Sequence, residues 1–139
     1  MPLFRTASEA ETIELGRRLA AELPRGVVLL TGNLGAGKTT LAKGIASGLG
    51  AAEPEDVSSP TFTLIHEYGH GLVYHVDLYR IEEARELEGF GLDEIIDSGA
   101  LVLIEWGERF RELVAQRRAE IRIRALSDET REIELHLSG

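Results

Sequence analysis

The residues with the most chemistry in this chain are Gly32-Asn33-Leu34-Gly35-Ala36-Gly37-Lys38-Thr39, followed by Thr40. They fit the G-x-x-x-x-G-K-[ST] phosphate-loop spacing. Each residue type has a physical reason. Glycines let successive backbone N–H groups turn toward one concave surface, which side chains would obstruct. A helix that starts here adds its unpaired N-terminal N–H groups and the positive end of its dipole. The Lys38 ammonium reaches β- and γ-phosphates, and the Thr39 hydroxyl is placed to ligate Mg²⁺. The expected ligands are therefore ATP and Mg²⁺, although no base-specific N-K-x-D motif separates ATP from GTP. The plain alternative is a glycine-rich turn that binds nothing.

Such a loop needs an acid on a neighbouring strand to organise the metal. Glu105 closes the apolar run Leu101-Val102-Leu103-Ile104, a Walker-B arrangement. Ligands of open α/β sheets bind at that strand edge. The alternative for Glu105 is an exposed acid at a strand end. Asp77 is the second candidate. It either handles the attacking water or pairs with Arg80 or His75 in a structural network. Arg80 either offsets γ-phosphate charge or forms a surface ion pair. Ser58 to Thr63, with Pro60 inside it, lies where γ-phosphate-sensing segments sit in nucleotide switches, and is otherwise a plain connecting loop. Trp106 follows Glu105 and has packing as its simplest role.

These groups need elements to position them. Val27 to Leu30 reads as a buried strand before the loop, and Thr40 to Leu49 as a helix after it. Leu3 to Thr6 suggests a short edge strand. Ser8-x-x-Glu11 has capping-box spacing, so a helix is expected from there to Pro24, with Ile13, Leu15, Leu19 and Leu23 as its apolar positions. A strand is expected from Thr61, a turn at Gly69-His70-Gly71, and a return strand from Leu72 to Arg80. Period two puts His75, Asp77 and Tyr79 on one face, which is expected to meet a polar cleft. Glu82 to Leu87 and Leu92 to Ile96 read as short helices, the first broken by Gly89 and Gly91. Ala100 to Trp106 is a second buried strand. Glu108 to Arg118 reads as a helix with Phe110, Leu113 and Val114 inward. Ile121 to Leu126 and Arg131 to Leu137 alternate as a hairpin with one wet face. The fold class is α/β: a P-loop NTPase-like domain, with a central mixed sheet flanked by helices and a C-terminal β-hairpin.

At 139 residues, 43% of them hydrophobic, one compact domain over residues 1–139 is expected. Cysteine is absent, which excludes disulfides and cysteine-based zinc sites. The net charge of −9 repels nucleic acid, so no direct stable nucleic-acid binding is expected of the chain alone. Arg117, Arg118, Arg122 and Arg124 read as solvated edge positions. The N-terminus has no signal-peptide h-region, and no apolar run approaches a membrane span. The expectation is a cytoplasmic protein without a membrane partner.

Taken together, Gly-x-Leu-Gly-Ala-Gly-Lys-Thr-Thr, Ser-Pro-Thr-Phe-Thr-Leu, His-x-Asp-Leu-Tyr-Arg and Ile-Glu-Trp resemble the bacterial TsaE family, also called YjeE. The resemblance runs from about Thr6 to Trp106 and more loosely beyond. It implies a small ATPase required for N6-threonylcarbamoyladenosine at position 37 of tRNA, working with TsaD and TsaB. It implies that Leu34, Gly35, Ala36, Gly37, Lys38, Thr39 and Thr40 bind the phosphates. Thr39 and Glu105 would hold Mg²⁺, and Asp77 would act near the attacking water. Catalytic roles would thus fall to Asp77, Lys38 and Glu105. Ser59 to Thr63 resemble a switch segment, and Glu9 and Arg131 would approach the base. Asn33 stands where the family usually has Asp, at a position whose side chain points away from the phosphates. Without the resemblance, a small-molecule P-loop kinase and a nucleotide-dependent assembly switch stay open.

Overall fold

The computed structural model describes residues 2–33, 35–58 and 64–138. Its strands are β1 (Leu3–Thr6), β2 (Gly26–Thr31), β3 (Ile65–Tyr68), β4 (Val73–Asp77), β5 (Leu101–Glu105), β6 (Ala119–Ala125) and β7 (Arg131–Leu137). They form one mixed sheet in the order β1-β7-β6-β2-β5-β4-β3. β6, β2, β5 and β4 run parallel at the centre. β3, β7 and β1 are added antiparallel outside them. The central strands are near-continuous apolar runs because both their faces are covered.

Alternation sorts the core into two layers. Val28, Leu30, Leu101, Leu103 and Ile121 face α1 (Glu9–Ala20) and α2 (Lys38–Gly48). Val27, Leu29, Val102 and Ile104 face the opposite layer. That layer contains α3 (Leu92–Asp97), α4 (Arg111–Ala115) and a 3-10 segment at Ala84–Phe90. Each fully buried aliphatic side chain contributes about 1.5–3 kcal/mol. β2 therefore belongs to both cores, and the loop that follows it starts from a rigid base.

α1 begins as its sequence predicts. Ser8 Oγ accepts the Glu11 N–H at 3.1 Å, and Glu11 Oε1 accepts the Ala7 N–H at 2.9 Å. α1 lies unusually close to α2. A Cβ added at Gly44 would stand 2.0 Å from the Ile13 carbonyl oxygen, so only glycine permits this approach.

Several expected boundaries move. α1 ends at Ala20 rather than reaching Pro24. β3 starts at Ile65, because Leu64 has φ 71° and cannot continue an extended strand; Thr61 to Thr63 lie outside the described residues. β4 ends at Asp77 rather than Arg80, although the Leu78 N–H still bonds Glu105 O at 3.0 Å. Gly89 lies inside its 3-10 segment instead of breaking it. The expected helix from Glu108 to Arg118 is a 3-10 turn at Gly107–Arg109 followed by the short α4, separated by extended Phe110. It ends early because the Arg118 N–H already bonds Val27 O at 2.7 Å, drawing the chain into the sheet. No helix among the described residues is long and apolar enough to cross a membrane.

Candidate active site

The carboxyl ends of β2, β5 and β4 lie side by side, and each delivers one part of the site. β2 leads into the phosphate loop. Gly35 and Gly37 sit in the left-handed region, at φ 81° and 108°. Leu34 lies outside the described residues. α2 starts at Lys38 with Gly37 as its cap and no side chain bonded across its first turn. The first N–H groups of α2 are therefore not used by a capping side chain, which suits them to an anion.

Lys38 is 4% exposed, yet it carries an ammonium. Its Nζ donates to Gly32 O at 2.9 Å and stands 3.8 Å from the centre of the Trp106 ring. Burial lowers the Lys38 pKa from the usual lysine range, and the carboxylates of Glu105, Glu108 and Asp77 act in the other direction. Trp106 holds its indole there from a left-handed backbone, φ 67°. Tyr79 packs on the same indole, with ring centres 5.2 Å apart.

β5 ends in Glu105 and β4 in Asp77, and the two are register partners. They are 4% and 3% exposed. Thr39 Oγ1 donates to Glu105 Oε2 at 3.4 Å, across from α2. Asp77 Oδ1 accepts the Tyr79 N–H at 2.9 Å. His75 Nε2 lies 2.5 Å from Glu105 Oε2. Glu105 is thus not the exposed strand-end acid of the plain alternative. The His75 face of β4 is polar, as period two requires, but His75 is sealed within the protein rather than open to a cleft. Its partner is Glu105, not Asp77.

A cavity of about 470 Å³ opens among Lys38, Thr39, Asp77, Glu105, Trp106 and Arg131. A second, of about 160 Å³, shares Gly37, Thr40 and Arg131 with it and reaches Glu9 and Thr12. The fold therefore brings Glu9 from α1 and Arg131 from β7 to the loop, although they lie far apart in sequence. Arg131 Nη1 is held by Ser127 O and Thr130 O at 2.8 and 3.0 Å. Ser59 to Thr63, expected as a switch, lie outside the described residues.

The donor set fits a magnesium nucleotide. Mg²⁺ takes one or two protein oxygens and the rest from phosphates and water. Thr39 and Glu105 offer one hydroxyl and one carboxylate, already in contact. Among the described residues there is no cluster of three or more His, Asp or Glu that would cage a metal without a nucleotide. Sequence reasoning missed two contacts. The stacking of Trp106 on Lys38 and the His75–Glu105 bond both join residues distant in the chain. The repeated placement of His75, Asp77 and Tyr79 on one face was the available signal, but it could not say which strand lay beside them.

The family profile for threonylcarbamoyl adenosine biosynthesis protein TsaE matches residues 6–133. The tRNA threonylcarbamoyladenosine biosynthesis protein TsaE of Bacillus subtilis is 43% identical over 133 residues, covering 94% of this chain and 82% of that protein. The protein of the same name from Treponema pallidum is 38% identical, covering 91% and 93%. The crystal structure of Bacillus subtilis YdiB aligns with a TM-score of 0.76 at 35% identity, covering 99% of this chain and 86% of that one. With the phosphate loop, its flanking strands and helices, and these matches all in agreement, the chain belongs to the TsaE family, whose members take part in threonylcarbamoyladenosine biosynthesis on tRNA.

Proposed function

We propose that this protein is a Mg²⁺-dependent ATPase that supports threonylcarbamoyladenosine modification at position 37 of tRNA, acting with TsaD and TsaB in the cytoplasm. One observation carries the reading: Lys38, Thr39, Asp77 and Glu105 converge on one cavity at the carboxyl edge of three adjacent parallel strands. Three chain segments have no other reason to bring an ammonium, a hydroxyl and two buried carboxylates together, because burying such groups is costly unless they pair or bind.

In this reading residues 34–40 cradle the phosphates through backbone N–H groups. Lys38 leaves Gly32 O and the Trp106 face to meet phosphate oxygens, offsetting charge that spreads over them in the transition state. Thr39 and Glu105 hold Mg²⁺, which when bound adds further positive charge against the phosphates. Asp77 orients the attacking water and accepts its proton. Glu9 and Arg131 flank the base. Residues 1–139 act as one unit.

The test is reconstitution of tRNA modification with TsaD and TsaB. Lys38→Ala should lose nucleotide binding, since phosphate charge goes uncompensated. Glu105→Ala should bind nucleotide but lose Mg²⁺-dependent turnover. Phosphorylation of a small acceptor in place of water would favour the kinase instead. One round of modification with a non-hydrolysable ATP analogue, followed by arrest, would favour the assembly switch.

A further inference from the structure

His75 has no part in the chemistry outlined above, yet it is among the most buried polar residues described, at 1% exposure. It sits on β4 two residues before Asp77 and on the same face. Its Nε2 contacts Glu105 Oε2 at 2.5 Å, the same oxygen that accepts from Thr39 Oγ1. A carboxylate only accepts, so Nε2–H is the donor. The other ring nitrogen, Nδ1, has no partner among the described residues. Burying an imidazole with one nitrogen unsatisfied is costly, so packing alone is a poor account of this residue. On the two neighbouring strands the register partners of His75 are Leu103 of β5 and His66 of β3.

Geometry supplies the missing reason. Glu105 must present a fixed carboxylate to a metal that accepts little deviation from octahedral geometry. A carboxylate at a strand end can rotate. One whose Oε2 is bonded to an imidazole on the next strand is restrained, with Oε1 left for another partner. The bond also fastens β4 to β5 beside Asp77 and Glu105, whose side chains must stay in register with each other.

Resting on the ATPase reading above, we infer that His75 is a positioning residue: through Nε2–H it fixes the Glu105 carboxylate toward Thr39 and thereby sets the affinity for Mg²⁺, without touching nucleotide.

Outer-shell partners of metal ligands typically govern metal affinity by about 10–100-fold. The experiment is calorimetric titration of the full-length protein with ATP, in EDTA and across a Mg²⁺ series, paired with thermal melts. His75→Leu should bind ATP in EDTA within about twofold of wild type, and need about 10–100-fold more Mg²⁺ for half of the metal-dependent gain in affinity. His75→Gln, whose amide nitrogen stands near the Nε2 position, should recover most of that shift. An unchanged Mg²⁺ requirement in a folded His75→Leu protein overturns the inference. So does an equal loss of ATP affinity with and without Mg²⁺, which would mark a structural role. Should His75→Leu not fold, the comparison passes to His75→Gln and His75→Asn: the shorter amide should shift the Mg²⁺ requirement and the longer one should not, and equal behaviour overturns the inference. Wild-type binding that ignores Mg²⁺ would sink the ATPase reading itself, a result distinct from the failure of His75 alone.

Discussion

Three ionisable groups decide what this site can do, and all three are nearly closed off from solvent. At the end of the sheet the carboxylates of Glu105 and Asp77 oppose the burial that lowers the Lys38 pKa. The Lys38 ammonium is occupied by the Gly32 carbonyl and the Trp106 face. A desolvated cation over an aromatic ring is stabilised by about 2 kcal/mol, so the lysine is parked rather than idle. Asp77 differs from Glu105 in its contacts. Its Oδ1 takes the Tyr79 backbone N–H, and it has no bond to Thr39 among those described. The two acids should therefore fail differently. Asp77→Asn should keep ATP affinity near that of wild type and slow hydrolysis by at least about 10²-fold, as loss of a general base does. Steady-state phosphate release together with a binding titration checks this. Normal hydrolysis by Asp77→Asn would remove its assigned role.

At the level of elements, α2 carries the loop, and its position depends on α1. The two helices touch backbone to backbone at Gly16 and Gly44. In an open helix, Gly→Ala gains about 1 kcal/mol from propensity. At Gly44 the new methyl would meet the Ile13 carbonyl oxygen at 2.0 Å, and a backbone oxygen cannot move aside cheaply. Overpacking of this kind costs about 1–3 kcal/mol or more, so the clash wins. Gly44→Ala should lower the melting temperature and weaken ATP binding together, because α2 shifts as a body. A melt unchanged from wild type would show that the helices do not pack this closely. Glu9 starts α1, so the same displacement would disturb the smaller cavity next to the loop.

For the whole molecule, the C-terminal hairpin adds Arg131 to a cavity otherwise lined by residues between Gly35 and Trp106. Arg131 on β7 is the arginine that lines the cavity of about 470 Å³ among the described residues, and its guanidinium donates to the Ser127 and Thr130 carbonyls while its side chain lies against the loop at Gly37. On the ATPase reading, hydrolysis by the isolated protein should be slow, and addition of TsaD and TsaB should raise it several-fold or more. Equal rates of phosphate release with and without the partners would contradict this. Much of the molecule was legible from sequence because local rules fix it. The glycine and lysine spacing, the capping box at Ser8, the apolar runs of β2 and β5 and the alternation of the last hairpin each act over a few residues. Boundaries near Leu64, Asp77 and Phe110 were not legible, since they follow from backbone conformation and from bonds to a distant strand. The sequence alone determined that a glycine-rich turn with phosphate-loop spacing follows β2 and which acids could serve it. Only the tertiary structure decided that β4 lies next to β5, so that His75 meets Glu105, Asp77 faces the same cavity and Arg131 arrives from the far end of the chain. Strand order depends on which covered faces can pack together around one core, and no pattern confined to a single segment contains that information.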